Sequence, residues 1–328
     1  TSEESSISAL SLPQEKSLRY KLLLESDDDN DHDNINDNDN DYPSRAFPWI
    51  VGHRGCLYQQ LENTREGFQE CARMGCDAVE LDVFVLKCGT VIVFHGDGTD
   101  EYPGLLQNYC GVSGSILDYT HAEAVEKLTF NPNFEEFGCP PEIILRGKIP
   151  TLEQVLLDAK QSGIHVKIEL KGEGTVKPTL DLVERLQMTN QCSYSSFDLD
   201  RLKQLRELRH DRIQYPTGAL FADLPRDYLE RARNCGATEI HLKYDTCTKH
   251  RIREIHAAGF GSMLWMRGPI GMAADCADLY WDVGNEDKSM YLALIQTGVQ
   301  QMCINKPDVL LELRRQQREQ QGPQDTID

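Results

Sequence analysis

The chain has 328 residues with 53 acidic and 34 basic side chains, which gives a formal net charge of −19. This length fits two domains of average size or one large α/β barrel. The acidic charge excludes non-specific binding to nucleic acid, which is itself a polyanion, and no run of about 18 apolar residues is present to span a membrane.

The N-terminal part of the chain carries much of this charge. Residues 1–42 have a net charge of −9, and residues 26–41 (SDDDNDHDNINDNDND) are almost entirely Asp and Asn. Such a run repels itself and has nothing apolar to bury, so we predict a disordered acidic segment over residues 1–45. A calcium-binding EF-hand loop is the alternative, but the Gly and the closing Glu of that loop are missing.

The eleven cysteines are scattered, and no Cys-x-x-Cys pair occurs. This pattern excludes a zinc ribbon and a thioredoxin-type motif. A chain of this length does not need disulfide bonds for stability, so we expect mostly reduced, buried thiols and a cytoplasmic location. The chain begins at Thr1 rather than Met, which is also compatible with a leader removed before that residue.

Eight β-rich runs follow the acidic segment and alternate with stretches of helical periodicity. They are residues 49–54, 78–86, 164–171, 192–197, 217–221, 238–243, 260–265 and 301–305. Eight strand–helix units within about 270 residues match the size of a TIM (β/α)₈ barrel. We therefore predict an α/β fold with one barrel domain over residues 46–316 and a flexible tail over residues 317–328.

A ninth β-rich run, residues 91–95, follows the second barrel strand too closely for a parallel crossover. It must return as a β-hairpin, and we predict Cys88–Gly89 as its turn. Counting back along both arms sets His95 opposite Asp82. Residues 96–148 are irregular in pattern and are predicted to form a small insertion over one face of the barrel.

Three carboxylates fall near the C-terminal ends of predicted strands, where barrels of this class assemble their catalytic sites. Glu80 and Asp82 lie two residues apart and therefore point to the same side, and Glu169 is placed similarly on the next barrel strand. Their combined charge of about −3 requires either bound protons or a cation. Oxygen ligands without Cys select hard ions, so we predict one divalent cation, Mg²⁺ or Ca²⁺.

Two basic residues and two histidines are predicted to surround this cation. With Arg54 and Lys171 added, the site carries about +1, which suits a singly charged phosphodiester held by the Arg fork and the Lys charge. His53 and His95 then serve as acid and base near neutral pH, with the order left open. Each motif alone is more often an ion pair or a solvated strand end; their joint occurrence favours a catalytic site. His241, also on a strand, is predicted to be packed rather than catalytic.

These motifs together resemble the glycerophosphodiester phosphodiesterase family, a set of metal-dependent TIM-barrel enzymes. The resemblance covers about residues 49–313 in family order. The matching motifs are His53-Arg54-Gly55, Glu62-Asn63-Thr64, Glu80-Leu81-Asp82-Val83, Val93-Phe94-His95, Ile149-Pro150-Thr151-Leu152-Glu153, Ile168-Glu169-Leu170-Lys171, Ser196-Phe197-Asp198, Thr297-Gly298-Val299 and Asn305-Lys306-Pro307-Asp308.

The resemblance implies a role for each site residue. Family members hydrolyse glycerophosphodiesters such as glycerophosphocholine to sn-glycerol 3-phosphate and an alcohol, by one proposed route through attack of the glycerol 2-hydroxyl. The implied roles are acid and base for His53 and His95, metal ligation for Glu80, Asp82 and Glu169, phosphate contact for Arg54 and Lys171, support for Glu62 and Asn63, and an aromatic wall for Trp265 or Trp281.

Two departures concern the substrate rather than the chemistry. The family commonly has Asp directly after the second His and a basic residue several positions on, whereas this chain has His95-Gly96-Asp97 and residues 98–109 lack that basic residue. Residues 266–284 also look expanded before the last barrel strand, so the aromatic wall is left open between Trp265 and Trp281. The alternative function is cleavage of lysophospholipids at the same site, a lysophospholipase D activity that needs an apolar groove beside the barrel mouth. A catalytically inactive scaffold is disfavoured because both histidines and all three carboxylates are present. The alcohol released and the oligomeric state stay open.

Overall fold

A computed structural model describes the chain over residues 47–96, 110, 112–129, 149–208, 215–268 and 286–321. The predicted acidic segment 1–45 lies outside these residues. The predicted insertion 96–148 is described at residues 96, 110 and 112–129. Among the described residues, no helix combines the length and the apolar composition that a membrane crossing requires.

The sheet is a closed barrel of eight parallel strands. The described strands, with the hairpin strand β3 included, are β1 (Trp49–Gly52), β2 (Ala78–Val85), β3 (Val91–Val93), β4 (His165–Leu170), β5 (Cys192–Ser196), β6 (Thr217–Phe221), β7 (Glu239–Lys243), β8 (Gly261–Trp265) and β9 (Gln301–Ile304). They run in the order β1-β9-β8-β7-β6-β5-β4-β2, and pairing of β1 with β2 closes the ring, while β3 is antiparallel to β2. The predicted TIM (β/α)₈ barrel is therefore confirmed.

Helices connect successive barrel strands, as parallel pairing requires. Within the described chain they are α1 (Arg65–Met74), α2 (His121–Lys127), α3 (Leu152–Ser162), α4 (Val176–Arg185), α5 (Leu199–Leu208), α6 (Tyr228–Asn234), α7 (Lys249–Ala257), α8 (Lys288–Gln296) and α9 (Pro307–Gln321). The α2 helix belongs to the insertion, and α9 runs on to Gln321, into the segment predicted as the tail.

The lower interior of the barrel contains a buried polar layer. Lys167 Nζ lies 3.2 Å from Glu239 Oε2, and His241 Nε2 lies 2.9 Å from the same oxygen. The residue facing the imidazole is Gly218, and a Cβ atom there would come within 2.0 Å of the His241 ring. His241 is therefore packed inside the barrel, which confirms the prediction for this histidine.

The predicted hairpin is present, but its predicted register is wrong by one residue. Val83 pairs with Val93, and the Phe94 N–H donates to the Asp82 carbonyl at 3.1 Å, so Asp82 lies opposite Phe94 and not His95. The cause is the turn, which has three residues between Leu86 and Thr90 instead of two. Gly89, at φ +80°, takes the left-handed position that this longer loop needs.

The nine described cysteines are free thiols. Seven of them are buried among the helices and strands, in agreement with the expectation of mostly reduced, buried thiols.

Candidate active site

The loop from β1 to α1 brings the first histidine and arginine to the barrel mouth. Arg54 and Asn63 adopt left-handed backbone angles (φ 54° and 55°), which cost non-glycine residues about 1 kcal/mol or more each. Two bonds hold this backbone: Arg54 N–H donates to Glu80 Oε2 at 3.1 Å, and Asn63 N–H donates to the Arg54 carbonyl at 2.9 Å. Thr64 then caps α1 by accepting the Gly67 N–H. Strained backbone of this kind clusters at functional sites.

Glu80, Asp82 and Glu169 meet just above the buried layer. Asp82 and Glu169 are direct neighbours in the β2–β4 register, and Glu80 lies one inward position below Asp82. All three side chains are buried, and one oxygen from each lies within 4.8 Å of the other two. A set of three carboxylates with no thiol or imidazole fits a hard divalent cation.

The electrostatics of the three carboxylates support this fit. Burial and repulsion from Asp82 and Glu169 raise the pKa of Glu80 well above its usual range. Burial also raises the pKa of Glu169, against the opposing effect of Lys171. Burial has the same effect on Asp82, but Lys171 and other positive neighbours outweigh it and hold the pKa of Asp82 below its usual value. Burial and mutual repulsion therefore oppose three full negative charges in this cluster, and a cation would relieve that repulsion.

Glu62 and Asn63 are tied directly to this cluster. Glu62 is almost completely buried, and both of its oxygens accept from Arg54 Nη1, at 3.2 and 3.1 Å. Asn63 Nδ2 donates to Asp82 Oδ2 at 2.9 Å, and Arg54 Nε lies 3.3 Å from the same oxygen. Burial raises the pKa of Glu62 to about 7 despite Arg54. When ionised, Glu62 offsets the Arg54 charge, so the balance of about +1 counted from the sequence falls to about zero.

Lys171 supplies the second positive charge. Its Nζ lies 2.8 Å from Glu169 Oε1 and 3.4 Å from Asp82 Oδ1. Burial opposes its charge, but these carboxylates more than compensate and raise the pKa of Lys171 above its usual value. The ammonium is therefore held between two of the proposed metal ligands, where it meets any anion that approaches them.

His53 precedes the three carboxylates in the chain, His95 lies between Asp82 and Glu169, and both rings are buried. His53 Nε2 lies 3.9 Å from Glu80 Oε2, and its Nδ1 lies 2.7 Å from Asn305 Oδ1. Burial and the nearby Arg54 charge lower the pKa of His53 to about 3 and that of His95 well below its usual value. His95 is close enough to Asp82 to contribute to the low pKa of that carboxylate.

Three residues at the site had no role assigned from the sequence. Asn305 bonds to His53 Nδ1, and Glu286 bonds to Asn305. Phe197 directly follows β5, and its ring packs edge to face against Trp265 with a centroid distance of 5.5 Å. The centroid of the same ring lies 5.6 Å from Lys171 Nζ. Phe197 and Asn305 follow strands, which is the signal that could have marked them. Trp265 thus forms part of an aromatic pair, while Trp281 lies outside the described residues.

An apolar cavity lies beside the aromatic pair. Its volume is about 410 Å³, and it lies between the loops that follow β5 and β6. Its lining is mainly apolar and also includes the charged residues Asp223 and Arg231; the apolar side chains are Phe197, Leu199, Leu220, Phe221, Ala222, Leu224 and Pro225. Phe197 belongs to both features, so the cavity adjoins the cluster of charged residues.

The fold and the site are those of a TIM-barrel phosphoric diester hydrolase. Residues 53–268 match the model of the Glycerophosphoryl diester phosphodiesterase family, about two thirds of the chain, and the chain belongs to that family. The resemblance seen in the motifs is therefore confirmed.

Individual relatives agree with this assignment. YhdW of Bacillus subtilis, named for the same activity, is 27% identical over 66% of this chain and 85% of its own length. Human lysophospholipase D GDPD1 is 29% identical over 41% of this chain and 40% of its own length. An Oleispira antarctica phosphodiesterase, solved with the product sn-glycerol-3-phosphate, superposes with a TM-score of 0.66 at 21% identity, covering 82% of this chain and 97% of that one.

Proposed function

We propose that the chain hydrolyses glycerophosphodiesters such as glycerophosphocholine to sn-glycerol 3-phosphate and an alcohol. The reaction takes place at the barrel mouth with one divalent cation, Mg²⁺ or Ca²⁺, on Glu80, Asp82 and Glu169. The observation that carries the proposal is the buried group of three carboxylates with oxygens within 4.8 Å of one another. The product named for the Oleispira relative supports the same substrate class.

The charged residues account for binding of the diester. A bound divalent cation supplies a Lewis acid that polarises a phosphoryl oxygen. Lys171, whose Nζ lies 2.8 Å from Glu169 Oε1, would bind the phosphate through its ammonium, and Arg54 through the guanidinium N–H groups that Glu62 does not bind. Glu62 and Asn63 act as supporting residues, because they hold Arg54 and Asp82 in place.

The two histidines account for proton transfer. Hydrolysis needs a base for the attacking hydroxyl or water and an acid for the leaving alcohol. His53 and His95 are both buried. Their low pKa values keep both rings neutral at pH 7 in the absence of substrate. A neutral ring can take the proton of the attacking group, whereas the ring that serves as acid must first take up a proton.

Substitution of one ligand tests this proposal against a matched control. Glu169→Gln keeps the shape but removes a ligand charge, and we expect a loss of at least about 10²-fold in release of glycerol 3-phosphate from glycerophosphocholine. Glu173→Gln makes the same change four residues on, at an exposed position, and should leave the rate unchanged. Equal activity of both variants would refute the carboxylate site.

A second candidate function is cleavage of lysophospholipids by the same residues. The cavity of about 410 Å³ beside Phe197 is an apolar groove of the kind that an acyl chain needs. The human relative named lysophospholipase D supports the same reading. In this case the phosphodiester would bind as before and the acyl chain would lie along the cavity.

Truncation of the cavity wall separates the two candidates. Leu224→Ala removes apolar contact worth about 2 kcal/mol, so KM for lysophosphatidylcholine should rise by about 30-fold while turnover of glycerophosphocholine is unchanged. Leu157→Ala is the control, since Leu157 is a half-exposed leucine on α3. An unchanged KM in Leu224→Ala would exclude the cavity as the acyl site.

A further inference from the structure

We propose that Asn305 and Glu286 are positioning residues that fix the tautomer of His53, with the proton on Nδ1 and the lone pair of Nε2 directed at the substrate. Nε2 is then the acceptor atom of the neutral ring. This inference rests on the proposed function and deepens it, because the motifs assign no role to Asn305 or Glu286.

The first step is the orientation of the Asn305 amide. Its Nδ2 lies 2.5 Å from the Arg267 backbone carbonyl, and it also bonds to Glu286 Oε1. A backbone carbonyl only accepts hydrogen bonds, whatever the protonation of Glu286. The nitrogen of the amide must therefore face Arg267, and the oxygen must face His53.

The orientation of the amide determines which nitrogen of His53 carries the hydrogen. Asn305 Oδ1 lies 2.7 Å from His53 Nδ1, and an amide oxygen cannot donate. Nδ1 must therefore carry the hydrogen, and in the neutral ring Nε2 is the acceptor. Nε2 is the ring atom on the side of Glu80, at 3.9 Å from its Oε2. The lone pair is thus directed towards the proposed position of the phosphodiester.

Glu286 prevents rotation of the Asn305 side-chain amide. Glu286 is buried, and its Oε2 accepts from the Tyr291 hydroxyl at 2.5 Å and from the Asn305 backbone N–H at 3.1 Å. Its backbone carbonyl accepts from Lys306 Nζ at 3.2 Å. The backbone N–H and the side-chain amide of Asn305 are therefore bound to the same glutamate, which is also held by Tyr291 of α8 and by Lys306 after β9. Burial raises the pKa of Glu286 to about 7, which reflects its removal from water.

The resulting proton transfers balance. His53 Nε2 takes the proton of the attacking hydroxyl or water as the new O–P bond forms. His95, once it has taken up a proton from solvent, donates that proton to the leaving oxygen as the old P–O bond breaks and returns to the neutral ring. The proton gained by His53 and the one lost by His95 are then exchanged with solvent. If a cyclic phosphate forms instead and is opened by water, His95 accepts a proton from the water and His53 donates its proton to the departing oxygen.

The tautomer can be measured directly. In the full chain labelled with ¹⁵N-histidine and loaded with Mg²⁺, the His53 signals are identified by their loss in His53→Gln. We expect a protonated Nδ1 and an unprotonated Nε2 in the wild type. A hydrogen on Nε2 in the neutral ring would overturn the proposal, and this measurement does not depend on any Asn305 variant folding.

Kinetics of Asn305 variants give the second readout. Asn305→Leu should lower kcat by up to about 10⁴-fold, the loss when a catalytic histidine is held in the wrong tautomer, with KM and Mg²⁺ affinity near wild type. Asn190→Leu, at an exposed position before β5, is the control. A parallel loss of Mg²⁺ affinity and Tm with unchanged His53 ¹⁵N signals would assign Asn305 a structural role only.

Exchange of the two side chains separates positioning from packing. Asn305→Asp alone places an acceptor against Glu286 Oε1 and should lower kcat. The double variant Asn305→Asp, Glu286→Gln supplies an N–H for that acceptor and has the same net charge as the wild-type pair. Its kcat should be at least tenfold higher than that of Asn305→Asp alone. No recovery in the double variant would contradict the proposed coupling.

Discussion

Replacement of Lys171 by Met should make cation binding tighter while it weakens catalysis. The ammonium lies 2.8 Å from Glu169 Oε1 and 3.4 Å from Asp82 Oδ1, so it neutralises two of the proposed metal ligands. Its removal leaves a buried group of carboxylates opposed by Arg54, and Arg54 is already bound to Glu62. A divalent cation then competes with one buried positive charge fewer at these carboxylates.

The magnitude follows from the cost of breaking a buried ion network. Removal of one partner costs about 3 kcal/mol or more, and because Glu80 can take up a proton the lower limit applies. This lowers Tm in EDTA by about 6–12 °C for a domain of this size. If the bound form is not destabilised, the same 3 kcal/mol appears as about 10²-fold tighter cation binding.

The assay is thermal unfolding in EDTA and across a Mg²⁺ titration, beside kcat/KM for glycerophosphocholine. Lys177→Met is the control, since Lys177 is an exposed lysine on α4 paired with Asp181. The difference in Tm between EDTA and saturating Mg²⁺ should be larger in Lys171→Met than in the wild type, and kcat/KM should fall. Weaker cation binding in Lys171→Met would refute the reasoning that Lys171 and the cation share these carboxylates.

Three further predictions concern stability and phosphate recognition. Burial lowers the pKa of His165 from 6.5 to about 4, so its contribution to stability is complete above pH 6.5 and is lost as the pH falls. Between pH 8 and pH 5 the loss is about 2 kcal/mol, and His165→Gln should show that much less change in unfolding free energy; an unchanged pH dependence would contradict this. Gly218→Ala should destabilise the barrel by about 1–3 kcal/mol because its Cβ would meet the His241 ring, and His241→Ala should relieve most of that loss in a double variant. Arg54→Lys should lower kcat/KM by at least tenfold, because a point charge cannot bind Glu62 and phosphate with the geometry of the guanidinium fork; wild-type kinetics would exclude that contact.

The barrel and the main site residues could be predicted because they obey a local rule. Strand residues alternate between the two faces of the sheet, so Glu80, Asp82 and Glu169 could be assigned to one side and one end of neighbouring strands. Convergence of strand ends then follows from closure of the barrel. No contact between distant segments had to be known.

The remaining features depend on contacts that local patterns do not encode. The hairpin register was missed because the sequence Lys87-Cys88-Gly89 is compatible with a two-residue and with a three-residue loop. The length of the loop shifts each cross-strand residue pair of the hairpin by one position. The contact between His53 and Asn305 joins residues 252 positions apart, and Glu286 reaches them from the segment before α8. The charge of Glu62 was left out of the balance because its pairing with Arg54 appears only in the folded chain.

The most direct test of the central claim is release of glycerol 3-phosphate from glycerophosphocholine by the full chain, measured with EDTA and after Mg²⁺ or Ca²⁺ is restored. We expect that EDTA abolishes this activity and that one of these ions restores it in the wild type, whereas neither ion restores it in Glu169→Gln. Undiminished activity in EDTA, or no release of glycerol 3-phosphate with either ion supplied, would contradict it.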